Sequence, residues 1–187
     1  NASCFGSFTN RLADGSWKLR SGFRLESDKV SAQDWTHAGI QPSHLADSRT
    51  FAPLALSVGA VKELGNHWET SLTLSRTERA PNMQELYADG PHLGTNAYEV
   101  GARSLDTERA VGLEWELEKT KGPVAGSFSL YYNRFSSYVA QQRNGFGPDL
   151  TASGGADYSG LARYDYVQIP ADLYGAEAKT TFELGSS

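Results

Sequence analysis

The residues best suited to chemistry lie in one irregular stretch, residues 78–101, "ERAPNMQELYADGPHLGTNAYEVG". His92 stands there among Asp89, Glu85 and Glu99, with Tyr87 and Tyr98 on either side. Neutral imidazole with carboxylates is a ligand set that suits Zn²⁺, so His92, Asp89 and Glu99 are the candidate metal ligands. The same imidazole, set between Pro91 and Leu93, could instead hydrogen-bond its own turn, and carboxylates in a loop are usually only solvated. Tyr87 and Tyr98 offer contact area for a small ligand, or they pin the stretch to whatever it covers. His37 and His44 fall in a second irregular stretch and are further candidate ligand contacts, without the close spacing of a paired metal motif. His67 sits in a short turn.

Catalysis finds little support. No G-x-S-x-G, H-E-x-x-H or phosphate-cradling glycine loop is present. Glu114, Glu116 and Glu118 form a row on one side of a strand, whereas glycoside hydrolysis needs two carboxylates across a cleft. No catalytic or cofactor-binding residue is assigned, and the chain reads as a non-enzyme. Seventeen basic against twenty-two acidic residues give a net charge of -5, which lacks the basic surface that holds nucleic acid. Cys4 is the single cysteine, so no internal disulfide forms. No apolar run reaches the length of a spanning helix, a test that membrane strands pass unnoticed because they alternate.

The elements that must carry this stretch are strands. From Val111 to Glu118 every second residue is apolar and, from Glu114, each residue between is a carboxylate, the period of a strand with two unlike faces. The same period runs through segments beginning at Trp17, Ala52, Trp68, Ser127 and Ala176. The expected fold is all-β, an antiparallel meander of about seven long strands near 1–13, 17–29, 49–63, 68–79, 107–120, 124–143 and 162–184. Short turns (13–16, 64–67, 121–123) alternate with long connections (about 30–48, 80–106 and 144–161), the asymmetry of an outer-membrane barrel. Trp17 and Trp68 open strands directly after short turns, where an interfacial aromatic belt sits. Period alone leaves a soluble β-sandwich open as a binding or adhesion module, since its strands alternate too.

Specific phrases resemble the barrel of TonB-dependent outer-membrane receptors. Arg79, Ala80, Pro81, Glu85, Leu86 and Tyr87 match a phrase that ends one strand of that family. Gly90, Pro91, His92, Thr95, Tyr98, Glu99 and Gly101 match the loop after it, Leu105 and Glu108 open the next strand, and Tyr174, Gly175 and Glu177 match a later "Y-G-x-E". The resemblance implies that residues 1–187 are part of a transmembrane β-barrel of about 22 strands in a bacterial outer membrane, without the plug domain, the N-terminal box that meets the energy-coupling protein, or the closing strand. It implies uptake of a scarce nutrient, with zinc, as transported ligand, or a metal chelate among the candidates. The implied partners are outer-membrane lipid, a plug, the inner-membrane coupling protein and a small-molecule or metal ligand. Arg76 and Arg79 would face the lumen toward plug carboxylates, or pair with Glu108 or Glu114 on the neighbouring strand.

Overall fold

The computed structural model describes residues 1–12, 15–34 and 46–183. Its elements are β1 (Ala2–Arg11), β2 (Trp17–Ala32), β3 (Asp47–Phe51), β4 (Leu54–Gly65), β5 (Trp68–Arg79), α1 (Met83–Tyr87), β6 (Asp89–His92), β7 (Ala97–Val100), β8 (Glu108–Lys119), β9 (Val124–Phe146) and β10 (Ala162–Phe182). One sheet holds all the strands in the order β1-β2-β4-β5-β8-β9-β10-β7-β6, with β3 continuing on β2. The seven expected strands are its antiparallel backbone. The third is broken into β3 and β4 because Pro53 has no N–H for the ladder; its carbonyl still accepts from Glu26 N (3.0 Å). The turn between β4 and β5 is the two-residue Asn66-His67, at φ 50 and 66, the primed geometry that matches the twist of paired strands.

Cross-strand register sorts the side chains into two faces. Val58, Leu74, Leu113 and Tyr132 lie in one row, and Ala60, Leu72, Trp115 and Leu130 in the next. These large apolar side chains are mostly solvent-exposed, Leu72 and Leu74 each at 50%. The opposite face carries Ser57, Ser75, Gly112 and Asn133 in one row and Glu69, Glu118 and Ser127 in another. An exposed apolar face on so many paired strands exceeds what a soluble module leaves uncovered. The indole N–H of Trp115, on that apolar face, is satisfied by Thr70 Oγ1 (3.0 Å). Trp17 lies under Lys62 (5.0 Å) and Trp68 under Lys119 (5.8 Å), so both tryptophans mark the short-turn edge of the band. From Trp68 up β5 to Arg76 is about 27 Å of strand at ~3.4 Å per residue, or about 20 Å of height at a ~40° tilt, close to the ~25 Å apolar band of a membrane barrel.

The compact core sits at the long-loop end, on the polar face. Phe51, Leu86, Leu105 and Val139 are buried together, with Val30, Ala80, Tyr87, Ala102 and Tyr166 packed around them. Val30 and Phe51 project from the polar face by register, and Val139, beyond a bulge in β9, packs with them. Leu86 and Leu105 belong to the connection between β5 and β8, which therefore folds back over the sheet instead of projecting away from it.

Candidate functional site

The connection between β5 and β8, residues 80–107 against the long loop of about 80–106 expected from sequence, is ordered by short-range hydrogen bonding. Asn82 caps α1: its side chain accepts from Glu85 N (2.9 Å) and the Glu85 carboxylate accepts from Asn82 N (2.7 Å), a reciprocal capping box. Pro91 falls on β6, the outermost strand of the sheet, where a missing N–H costs no ladder bond. Asn96 takes φ 50 to close the β6–β7 hairpin. β7 then runs parallel to the start of β10, Glu99 opposite Tyr164. Gly101 N donates to Ala88 O (2.6 Å) and Ala102 N to Glu85 O (2.8 Å), tying hairpin to helix. A Cβ at Gly101 would stand 2.6 Å from backbone atoms of Leu86 and Tyr87, so glycine is required by close approach rather than by φ.

Two buried carboxylates fasten this connection to the sheet. Glu85 receives Arg79 in a forked pair (2.9 and 3.1 Å), and the same guanidinium reaches Glu108 on β8 (3.3 Å). Glu108 in turn accepts from Val139 N (2.8 Å). Arg79 thus faces the polar side and pairs with Glu108, one of the two partners expected on the neighbouring strand. Arg76, three residues earlier, is on the apolar face and pairs with Glu78 (2.7 Å); it does not face a lumen, because a spacing of three puts the two side chains on opposite faces.

Glu99 is the second fastening, its side chain 2% exposed. It accepts from Gln84 Nε2 (2.5 Å), Thr95 Oγ1 (2.8 Å) and Tyr166 Oη (3.2 Å). Burial pushes its carboxyl up, but hydrogen bonds from Thr95, Gln84, Gln141 and Tyr166 outweigh that and leave it below its usual value. Helix, hairpin turn and the sheet strands β9 and β10 therefore meet on one carboxylate.

The expected metal set divides across the hairpin. His92 Nδ1 lies 3.0 Å from Thr95 Oγ1 and 3.3 Å from Glu99 Oε1, so His92 and Glu99 share a face. Asp89 is on the other face, where it accepts from Tyr98 Oη (2.7 Å). Pairing of Asp89 with Val100, and of His92 with Ala97, enforces that separation. Among the described residues no three His, Cys, Asp or Glu side chains are grouped to hold a metal ion. With its proton given to Glu99, Thr95 accepts from His92 Nδ1–H, which in the neutral ring leaves the lone pair on Nε2.

The tyrosines also part ways. Tyr98 is buried and packs against Tyr158 of the 147–161 connection (ring centroids 5.5 Å apart), so it pins the hairpin. Tyr87 borders an open cleft of about 750 Å³ together with Ser31, Gln33, Asp34, Met83 and Gln84. Arg103 lies over its ring (5.8 Å). The Tyr87 hydroxyl is buried with no hydrogen bond of good geometry; burial, then the nearby Asp47 carboxylate, push its pKa up. His37 and His44 lie outside the described residues. Gln84, Gln141 and Tyr166 carry no sequence signal of their own, and only the Asn82-x-x-Glu85 capping signature marks the helix that presents Gln84 and Met83.

Residues 1–187 match the family described as TonB dependent receptor-like, beta-barrel. Among solved structures, the copper transporter OprC superposes with a TM-score of 0.73 at 15% identity, over 98% of this chain and 26% of OprC. The Serratia marcescens hemophore receptor HasR, solved with its hemophore HasA and heme, gives 0.64 at 15% identity, over 97% of this chain and 31% of that one. The siderophore receptor PirA of Pseudomonas aeruginosa gives 0.53 at 15% identity, over 94% and 38%. The chain thus spans less than two fifths of each of these receptors, and at such identity the likeness is one of fold. Receptors of this family are transporters rather than enzymes, and the soluble sandwich is set aside by the match over the whole chain. The chain belongs to the TonB-dependent receptor-like β-barrel family, as a section of an outer-membrane barrel wall.

Proposed function

We propose that this chain supplies part of the outer mouth of a receptor that takes up a scarce small solute, and that the 80–107 connection forms one wall of the solute's entry site. The observation that carries this reading is the cleft of about 750 Å³ beside α1, which meets the polar face of the sheet at its long-loop end. A connection anchored by two buried carboxylates presents Met83, Gln84 and Tyr87 in fixed positions, as a binding surface requires. Among the described residues that line the cleft Asp34 is the one charged group; the rest of these are apolar, amide, hydroxyl and thioether side chains. That lining suits an organic solute or a metal chelate better than a bare Zn²⁺, which needs three or four converging donors.

The test is a binding titration of the full-length receptor with the zinc ion alone and with metal chelates, in wild type, Tyr87→Ala and His92→Ala. On this reading a chelate binds, Tyr87→Ala weakens it about tenfold, and His92→Ala leaves Zn²⁺ affinity unchanged. A solute bound equally well by wild type and by a Met83→Ala/Tyr87→Ala receptor would remove the cleft from the entry site. A His92-dependent Zn²⁺ affinity would restore the bare ion.

A further inference from the structure

On the apolar face, at the upper edge of the band, three arginines converge where hydrocarbon gives way to headgroups. Arg76, Val111 and Arg134 lie side by side on β5, β8 and β9, one row above Leu74, Leu113 and Tyr132. Arg109 stands in the row above them, opposite Glu78. The three guanidiniums, with Val111 and Ser136, line a cleft of about 300 Å³ whose lining includes no carboxylate.

The nearby acids hold two of these arginines from the side. Glu78 pairs with Arg76 (2.7 Å) and lies 3.6 Å from Arg109, and Asp106 lies 3.5 Å from Arg109. Each contact uses one or two of the five donors a guanidinium carries, so donors remain for the cleft. Arg134 makes no ion pair among the described residues. Its cross-strand neighbour Asp172 accepts instead from Tyr132 Oη (2.7 Å).

We propose that this cleft binds the phosphate of an outer-leaflet lipid headgroup, with the acyl chains lying along Leu74, Leu113 and Leu130 below it. Planar guanidiniums match phosphate oxygens in forked contacts. The height of the cleft, about 20 Å above the tryptophan edge by strand rise and tilt, sets it at the level of headgroups. A soluble anion would have no use for the apolar rows directly beneath. The site is on the outside of the wall, so it is independent of what the receptor transports.

The experiment uses the full-length receptor in detergent and native mass spectrometry, with diphosphoryl lipid A, dephosphorylated lipid A and inorganic phosphate as probes. Diphosphoryl lipid A should bind wild type, about tenfold more weakly to Arg134→Gln, and not measurably to the Arg76→Gln/Arg109→Gln/Arg134→Gln protein, the order expected for charge-assisted contacts. Dephosphorylated lipid A should bind wild type as poorly as the diphosphoryl form binds the triple variant, and inorganic phosphate should not displace the lipid. Equal binding of diphosphoryl lipid A by wild type and Arg134→Gln would overturn the proposal. So would indifference to the lipid's phosphates, or displacement by inorganic phosphate. Should the triple variant fail to fold, Arg134→Gln decides alone, since that guanidinium makes no ion pair whose loss would unsettle the barrel.

Discussion

Replacing Glu99 by glutamine isolates the bond that holds the mouth connection to the sheet. The side chain keeps its size, loses its charge, and turns an amide NH₂ toward donors already aimed at it from Gln84, Thr95 and Tyr166. A hydrogen bond to a charged group is worth about 1.5–3 kcal/mol. Two such bonds lost or inverted, with some relaxation toward water, should cost the docked state about 3 kcal/mol. At about 1.4 kcal/mol per tenfold, opening of the connection becomes roughly 150-fold more frequent. Hydrogen exchange on the full-length receptor reads this directly, because Gly101 N and Ala102 N are bonded only while hairpin and helix stay together. Their protection should drop by two orders of magnitude, while the amides of the β5–β8 ladder stay as they were. Tyr166→Phe, which removes one sheet-side donor, should cost about 1 kcal/mol and add little on top of Glu99→Gln. A change of less than threefold at Gly101 and Ala102 in Glu99→Gln would refute the claim that this carboxylate is the fastening.

The same bond has a pH signature. The folded pKa of Glu99 is lowered from its ordinary 4.5, so its contribution is complete above that value and is lost as pH falls through the lower folded one; exchange protection should fall below about pH 4.5 in wild type and be flatter in Glu99→Gln. Arg79→Ala leaves Glu85 and Glu108 without their shared cation, and because Arg79 is 45% exposed the cost should be about 1–3 kcal/mol, seen as faster exchange at Leu86 and Ala88. Gly101→Ala drives a Cβ into the backbone of Leu86 and Tyr87; an overpacking cost of about 1–3 kcal/mol should expose the connection to limited proteolysis with the barrel intact. Asn82→Ala removes the cap of α1 and should cost about 1 kcal/mol, measured by the same proteolysis.

The strands are legible in the sequence because a two-sided sheet writes its register as a period of two. The expected segment 68–79 and the observed Trp68–Arg79 coincide, and 107–120 differs from Glu108–Lys119 by one residue at each end. Parity also separates Arg76 from Arg79, which three residues apart face opposite sides, and Arg76 shares the side of Leu72 and Leu74. The short helix is marked by Asn82 and Glu85 at capping-box spacing but is too brief to show a helical period. What the sequence does not carry is the return of β7 onto the edge of β10, since Glu99 meets Gln141 and Tyr166 only after more than forty intervening residues have folded. That contact is what makes Glu99 a fastening of the connection, and hairpin parity sends Asp89 to the opposite side from His92.

The Leu74 and Leu113 face meets lipid, while the Glu114 face, onto which the mouth connection folds, is the wet one; the entry site and the headgroup cleft both depend on that division. Spin labels at residues 113 and 114 of the full-length receptor in outer membranes, in a Cys4→Ser background, test it through collision with oxygen and with a water-soluble nickel chelate. Relaxation should be dominated by oxygen at 113 and by nickel at 114, because adjacent strand residues point to opposite faces. Nickel access at 113 equal to that at 114 would contradict it.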